Sequence, residues 1–329
     1  MGATIIGIGS YLPERVLTNA DLEKMVDTSD EWIVTRTGIK ERRICADNEA
    51  SSDLGVRAAR RAIEDAKISQ TDIDLIIVCT ITGDMIFPAT ACVVQEKLGI
   101  DDIPCFDLVA ACSGFIYGLE VAHGLISAGI YKTILVIASE CMSRLTDYTD
   151  RTTCVLLGDG AVAAVVARCQ DGAGIIDSVL GAAGKYGLLL YVPAGGSKMP
   201  ASPETVKNRL HFMKMEGAAL FRIAVTAMAS AVQAICKRNN LTPDDISLLI
   251  PHQANIRIIQ SVARMLNFPM EKVFVNIEKY GNMSAASVGV ALDEAVKSGR
   301  VRNGDIVCMV SFGAGLTWAA NLIRWETNG

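Results

Sequence analysis

The stretch "LVAACSGFIYGLEVAHGLISAG" (108–129) sets one cysteine, Cys112, among small residues at the start of an apolar helical pattern. A helix N-terminus offers unpaired N–H groups and the positive end of the dipole. Both favour a thiolate, the nucleophilic form of cysteine. Ala110, Ala111, Ser113 and Gly114 leave room for a substrate to approach. Most cysteines in apolar surroundings are inert core thiols, so a nucleophile needs partners to stand out. The chain has three histidines. His123 follows Cys112 by 11 residues on the same helix, about 16 Å away along its axis, too far for a hydrogen bond. His211 falls in a Gly/Pro/Ser-rich connection. His252, in "LLIPHQAN", ends an apolar run and precedes a helical pattern, which makes it the best base. Asn282, in "YGNMSAAS", supplies an amide. A thiol nucleophile with two side-chain donors suits acyl chemistry, where charge develops on a carbonyl oxygen. "FGAGLTW" (312–318) can add backbone N–H groups, although a Gly-rich turn alone is a weak sign.

These residues need elements to bring them together. Strands read at "TIIGIGS", "IDLIIVCTI", "IPCFDLV", "KTILVIAS" and "AVAAVVA", and helices at 52–66, 90–98 and 113–128. Continuous apolar strands alternating with helices predict an α/β protein with buried sheets. The second half repeats the first. "IEDAKISQTDIDLIIVCT" (63–80) resembles "ICKRNNLTPDDISLLIPH" (235–252), and the order of helix, acidic turn, strand, loop and helix is kept beyond it. A duplication predicts two halves, 1–170 carrying Cys112 and 171–329 carrying His252 and Asn282. Asn282 then falls opposite Cys112, each beginning an equivalent helix. Ligands of open α/β sheets collect beyond the carboxyl ends of strands, so the segments converge around a pseudo-twofold axis. The long connection at 184–216 reads as a cap.

Composition narrows the classes. With 329 residues, half of them hydrophobic, the chain can bury a large core. A net charge of −5 argues against nucleic-acid binding. Ten cysteines lack C-x-x-C or zinc-ligand spacing, so buried thiols in a reducing cytoplasm are expected, without a metal. "MGATIIGIGSYLPE" runs straight into a strand, so no leader is expected. No apolar run is expected to reach membrane-spanning length. A dinucleotide site is disfavoured, because "GIGSYL" lacks the third glycine of that fingerprint.

"GIGSYLPE", "SDEWIVTRTGI", "ACSGF", "GDGA", "PHQANIRI", "GNMSAASV" and "FGAGLTW", in this order along the whole chain, resemble the β-ketoacyl-(acyl-carrier-protein) synthase III family. The resemblance implies a thiolase-like duplicated fold, two pseudo-twofold-related mixed sheets in αβαβα layers. It implies an acyl-Cys112 intermediate, formed from an acyl-CoA starter such as acetyl-CoA. Decarboxylation of malonyl-acyl carrier protein then gives β-ketoacyl-carrier protein, CoA and CO2, with no cofactor. The family's catalytic residues fall on Cys112, His252 and Asn282, and its oxyanion-hole N–H groups on Cys112 and Ala314. Many members have glycine where Ala314 stands, and a backbone N–H still serves if φ stays negative. The family's CoA contacts fall on Trp32, Arg36, Arg151, Gly217, Phe221 and Asn255. Its carrier-protein contacts fall on Gln253, Ala254, Asn255, Ile256 and Arg257. Phe87 falls where the family reaches across a homodimer interface to cap the acyl pocket.

Local physics agrees at two places. "TSDE" predicts a capping box from Thr28 to Glu31, with Trp32 and Arg36 on one helix face. "ANIRIIQSVARMLN" predicts an amphipathic helix with Ile259, Val262 and Leu266 inward and Arg257 and Arg264 outward. Other readings stay open: a relative making another ketide or quinolone, a Cys-dependent thioesterase, and a non-catalytic acyl-binding protein. A hydrolase needs a water route that a condensing site excludes.

Overall fold

The computed structural model describes residues 2–169 and 173–326. The expected boundary between halves, 170/171, lies outside the described residues. The first sheet contains β1 (Gly2–Tyr11), β2 (Leu75–Cys79), β3 (Cys105–Leu108), β4 (Thr133–Cys141) and β5 (Asp159–Cys169) in the order β1-β5-β4-β2-β3. The second contains β6 (Gly174–Ala182), β7 (Leu248–Pro251), β8 (Ile306–Gly313) and β9 (Thr317–Arg324) in the order β7-β8-β9-β6. Toward one edge of each sheet the pairs are parallel (β2 with β3 and β4, β7 with β8), and toward the other they are antiparallel (β5 with β4 and β1, β9 with β8 and β6). Val273 bridges Leu249 in parallel, at the place β3 holds in the first sheet. Order and direction therefore match strand for strand, which is the duplication written in topology.

The buried apolar runs explain the layers. All five residues of β2, "LIIVC", are buried, as a strand covered on both faces requires. Helices α4 (Gly114–Ser127) and α7 (Ala286–Lys297) fill the layer between the sheets: Phe115, Leu119, Val288 and Leu292 share one cluster with Ile77, Val136, Ile250 and Met309. Outside the first sheet lie α2 (Ser51–Ala66) and α3 (Thr90–Leu98). Outside the second lie α5 (Gly217–Arg238) and α6 (Ile256–Met265). The expected helices at 52–66, 90–98 and 113–128 thus form within a residue of their expected ends.

Helix α5 departs from expectation. Its 22 residues are long and apolar enough to cross a membrane by length and composition. Leu220, Ala224, Met228, Val232 and Ile235 instead pack on Leu249, Val310 and Leu322 of the second sheet, so its apolar face is accounted for by the core.

Candidate active site

Cys112 sits in a short 3-10 turn, Ala111–Ser113, that feeds directly into α4. Ala111 holds φ +47, a left-handed backbone that a non-glycine residue adopts at a cost, and it re-aims the chain just before the sulfur. The second half reaches over to fix this turn. Ser311 Oγ donates to the Cys112 carbonyl at 2.6 Å, and Thr317 Oγ1 to the Ala110 carbonyl at 2.9 Å. Gly313 packs so closely that a Cβ there would lie 2.6 Å from Cys112 N.

Asn282 occupies a loop, and α7 begins four residues later, so it precedes its helix by more than Cys112 precedes α4. Its backbone is clamped to the first half: Asn282 N–H donates to Leu156 O at 2.8 Å, and Gly158 N–H to Asn282 O at 3.0 Å. Gly281, at φ +64, lets this clamp form, because a Cβ there would lie 2.8 Å from Leu156 O. Asn282 Oδ1 accepts from Ser284 N–H at 2.8 Å. The amide NH2 is the end left for the cavity.

His252 follows β7, with its N–H donating to Val310 O at 2.7 Å. The side chain is buried, and neither ring nitrogen has a hydrogen-bond partner among the described residues. Two unpaired polar atoms in one buried ring are costly unless a ligand completes them. Cys112, His252 and Asn282 line one cavity of about 150 Å³ with Gly313, Phe312, Phe221 and Asn255.

Burial dominates the electrostatics. It pushes the Cys112 thiol up to about 12, with the Ser284 hydroxyl opposing and the Glu140 carboxyl adding to the rise. A displacement of that size is about 4 kcal/mol, against about 0.3–1 kcal/mol for a typical helix end. Burial therefore outweighs the helix end that favours a thiolate and holds the proton on Cys112 in the free protein. Burial also pulls His252 down to about 3, so the imidazole is neutral across the working range, with one N–H and one free lone pair.

Two further cavities meet at Cys112 and its neighbours. An apolar one of about 220 Å³ runs past Cys112, Ser284 and Ala314 to Met142, Leu145, Leu157 and Met213. Its far wall comes from the 184–216 connection, where Leu190–Tyr191 pairs with Lys214–Met215, so that segment walls the site as a cap does. The other, about 500 Å³, opens at the surface and is lined by Trp32, Arg36, Gly217, Phe221, Asn255 and Arg257. Arg36 and Arg151 lie over the Trp32 ring at 5.0 and 5.2 Å. Arg151 also donates to Asp27 O at 2.7 Å. The capping expectation is corrected here. Helix α1 (Asp30–Thr37) is capped by Ser29, which accepts from Trp32 N–H at 3.1 Å, while the buried Thr28 hydroxyl has no hydrogen-bond partner among the described residues.

The docking loop after His252 divides. Asn255 caps α6 by accepting from Arg257 N–H at 2.8 Å, Ala254 and Ile256 are half-buried, and Arg257 is exposed. Gln253 is corrected: it is fully buried, its amide donating to Pro251 O and Phe274 O and accepting from Asn276 N–H. It anchors the loop and reaches no partner protein. Along α6, Ile259, Val262 and Leu266 are buried and Arg257 and Arg264 exposed, as the pattern predicted. Ala314 is absent from the positive-φ residues, which meets the condition set for alanine there. His123 lies along α4 with Nδ1 3.4 Å from Glu120. Phe87 is 82% exposed and lines none of these cavities from its own chain. Sequence reasoning missed Ser311, Ser284 and Glu140. Only Glu140 left a signal, a lone acid inside the apolar run "TILVIASEC".

Two family models match the chain: 3-oxoacyl-[acyl-carrier-protein (ACP)] synthase III over residues 106–184 and its C-terminal counterpart over 236–325. The β-ketoacyl-[acyl-carrier-protein] synthase III of Caldanaerobacter subterraneus subsp. tengcongensis is 55% identical over 99% of this chain and 98% of its own. The crystal structure of 3-oxoacyl-[acyl-carrier-protein] synthase III from Aquifex aeolicus VF5 superposes with a TM-score of 0.91 at 47% identity, covering 98% of this chain and 100% of that one. A priming β-ketosynthase of the R1128 polyketide pathway also scores 0.91, at 36% identity over 99% and 97% of the two chains.

Proposed function

The chain belongs to the 3-oxoacyl-[acyl-carrier-protein] synthase III family, and on that footing we propose that it joins an acyl-CoA starter to malonyl-acyl carrier protein, the step that opens fatty-acid synthesis. It is a condensing acyltransferase. The observation that carries the reading is the meeting of Cys112, His252 and Asn282 in one buried cavity, between an apolar pocket and a mouth edged with arginines.

The CoA adenine and phosphates meet Trp32, Arg36 and Arg151 at the mouth, and the pantetheine arm passes Gly217, Phe221 and Asn255. Cys112 sulfur attacks the thioester carbonyl, the C–S bond to CoA breaks, and the Cys112 proton ends on the CoA sulfur. No net base is consumed. The Cys112 and Ala314 N–H groups hold the oxyanion, and the acyl chain enters the pocket of Met142, Leu145 and Met213. Malonyl-carrier protein then docks on Ala254, Ile256 and Arg257, an acidic partner meeting an exposed arginine. Its thioester oxygen lies between the His252 N–H and the Asn282 amide. Loss of CO2 leaves an enolate held by those donors, and its carbon attacks acyl-Cys112, breaking the acyl C–S bond and releasing the sulfur as a thiolate that takes up one proton from solvent to restore the thiol. The carbanion comes from decarboxylation, so the sequence of steps uses no cofactor. Ten cysteines with no disulfide among the described residues suit a reducing cytoplasm.

The expected result is a single acyl adduct on Cys112 after incubation with acetyl-, isobutyryl- or octanoyl-CoA, read by peptide mass. Its yield across the three donors gives the starter preference. An adduct on another cysteine, with Cys112 unmodified, rules the reading out.

Two copies complete the pocket. Met85, Ile86 (87% exposed) and Phe87 stand on the loop leading into α3, whose first N–H groups are held by Asp107 of the edge strand β3, and Val109 just after β3 is 75% exposed. Exposed apolar side chains along an unpaired strand edge mark an association surface. Phe87 of one copy caps the acyl pocket of the other. Phe87→Thr shifts preference toward longer acyl-CoA donors. Sedimentation showing a monomer, or an unchanged donor profile, contradicts this.

A further inference from the structure

Glu140, fully buried, stands one residue before the end of β4, close enough to Cys112 for its charge to act on the sulfur. One carboxyl oxygen, Oε2, accepts from Thr82 Oγ1 at 2.6 Å, Thr80 Oγ1 at 3.2 Å and Ile81 N–H at 3.2 Å. The other, Oε1, is sealed from water without a hydrogen bond of full geometry among the described residues, although the Ala285 N–H also acts on the carboxyl. The Ser284 hydroxyl is equally sealed, and among the described residues its contacts to Glu140 and Cys112 fall short of full hydrogen-bond geometry. Ser284 is itself held at φ +48, a left-handed conformation that costs a non-glycine residue about 1–3 kcal/mol. This hydroxyl lies next to both the Glu140 carboxyl and the Cys112 sulfur, and it lines the apolar pocket with Cys112. A buried carboxyl, the Ser284 hydroxyl and the reactive sulfur thus stand in a row.

We propose that Glu140 is a positioning residue for Cys112: it holds the Ser284 hydroxyl against the sulfur, and its own charge governs how readily the sulfur loses its proton. The inference rests on Cys112 being the nucleophile. Burial raises the Glu140 carboxyl to about 7, with the Thr82 hydroxyl the largest opposing influence. Below that pH the carboxyl is neutral and can donate to Ser284. Above it the carboxylate repels a thiolate at Cys112. Among the described residues, the Glu140 charge acts on the Cys79 and Cys112 thiols, while on the other packed elements Asp159 of β5 is taken up by Cys45 N–H and Ser143, and Asp53 of α2 by Lys97. Among the described residues no lysine or arginine pairs with Glu140, so nothing cancels its charge.

The test is the rate of Cys112 alkylation by iodoacetamide between pH 5.5 and 9, followed by peptide mass on the whole protein. Reaction of a thiol well below its pKa rises tenfold per pH unit. The intact protein shows a break in that slope near pH 7. Glu140→Gln removes the break and reacts about three- to tenfold faster at pH 8.5. Ser284→Ala keeps the break but is slower throughout. Thr82→Val, which deletes the shortest donor to the carboxyl, moves the break to higher pH and serves if Glu140→Gln does not fold. A profile without a break, or one that none of these substitutions moves, overturns the proposal while leaving Cys112 as the alkylated residue. Alkylation elsewhere, with Cys112 unmodified, overturns the nucleophile assignment and the proposal with it.

Discussion

Asn282→Ala and His252→Ala lower malonyl decarboxylation by about 10²–10³, and each lowers acylation of Cys112 by a smaller factor. The asymmetry follows from the electrostatics of the free site. Decarboxylation builds a full negative charge on one thioester oxygen. The donors facing it are the Asn282 amide, whose carbonyl end is already taken by Ser284 N–H, and the neutral His252 ring. Acylation leans on His252 less. A ring nitrogen held near 3 is a poor base for a thiol held near 12, so His252 gives the first step little driving force. The end of α4, the Ser284 hydroxyl and the exchange of one sulfur for another carry that step. Cys112→Ala shows the reverse pattern, with no acyl-enzyme and residual CO2 release. CO2 release measured beside intact-protein mass separates the two half-reactions. A His252→Ala protein that decarboxylates normally yet cannot be acylated contradicts this division of labour.

Gly313→Ala lowers the rate of Cys112 acylation by about 10², the usual penalty for displacing a reacting group by about 1 Å. The added Cβ would sit 2.6 Å from Cys112 N and 3.0 Å from Cys112 Cβ, where no flexible side chain can yield. Either the Cys112 turn or the end of β8 must shift. That strain costs about 1–3 kcal/mol of stability and misaligns the N–H groups of Cys112 and Ala314. The neighbouring change Ala314→Gly is nearly neutral, because Ala314 already has an unstrained φ. Acylation rate and thermal melting of both variants check this. Equal effects at 313 and 314 would contradict the account of the close approach.

Strands and helices were legible because continuous apolar runs and helical periodicity are local. The duplication was legible because it is written in element order. It located Cys112 and Asn282 on equivalent segments before any coordinates, although α7 starts later after Asn282 than α4 does after Cys112. Burial was not legible. Nothing in "PHQAN" separates the sealed Gln253, spent on backbone groups of two segments, from the exposed Arg257 four residues on. The protonation balance at Cys112 is hidden for the same reason: a helix end is visible in a sequence, whereas the desolvation that outweighs it is a property of the packed site. Ser311, Ser284 and Glu140 act through contacts that cross between distant segments, and such contacts leave little pattern in the chain.

The central claim is that one sulfur carries the acyl group between two substrates. The direct measurement loads the protein with labelled acetyl-CoA, confirms the label on Cys112, removes free CoA, and adds malonyl-acyl carrier protein. The account predicts that label leaves Cys112 only when the carrier substrate is present, appears in β-ketoacyl-carrier protein, and is matched by one CO2 per acetyl transferred. Loss of label to water as free acetate, at the same rate with or without malonyl-carrier protein, would contradict it and point to a thioesterase.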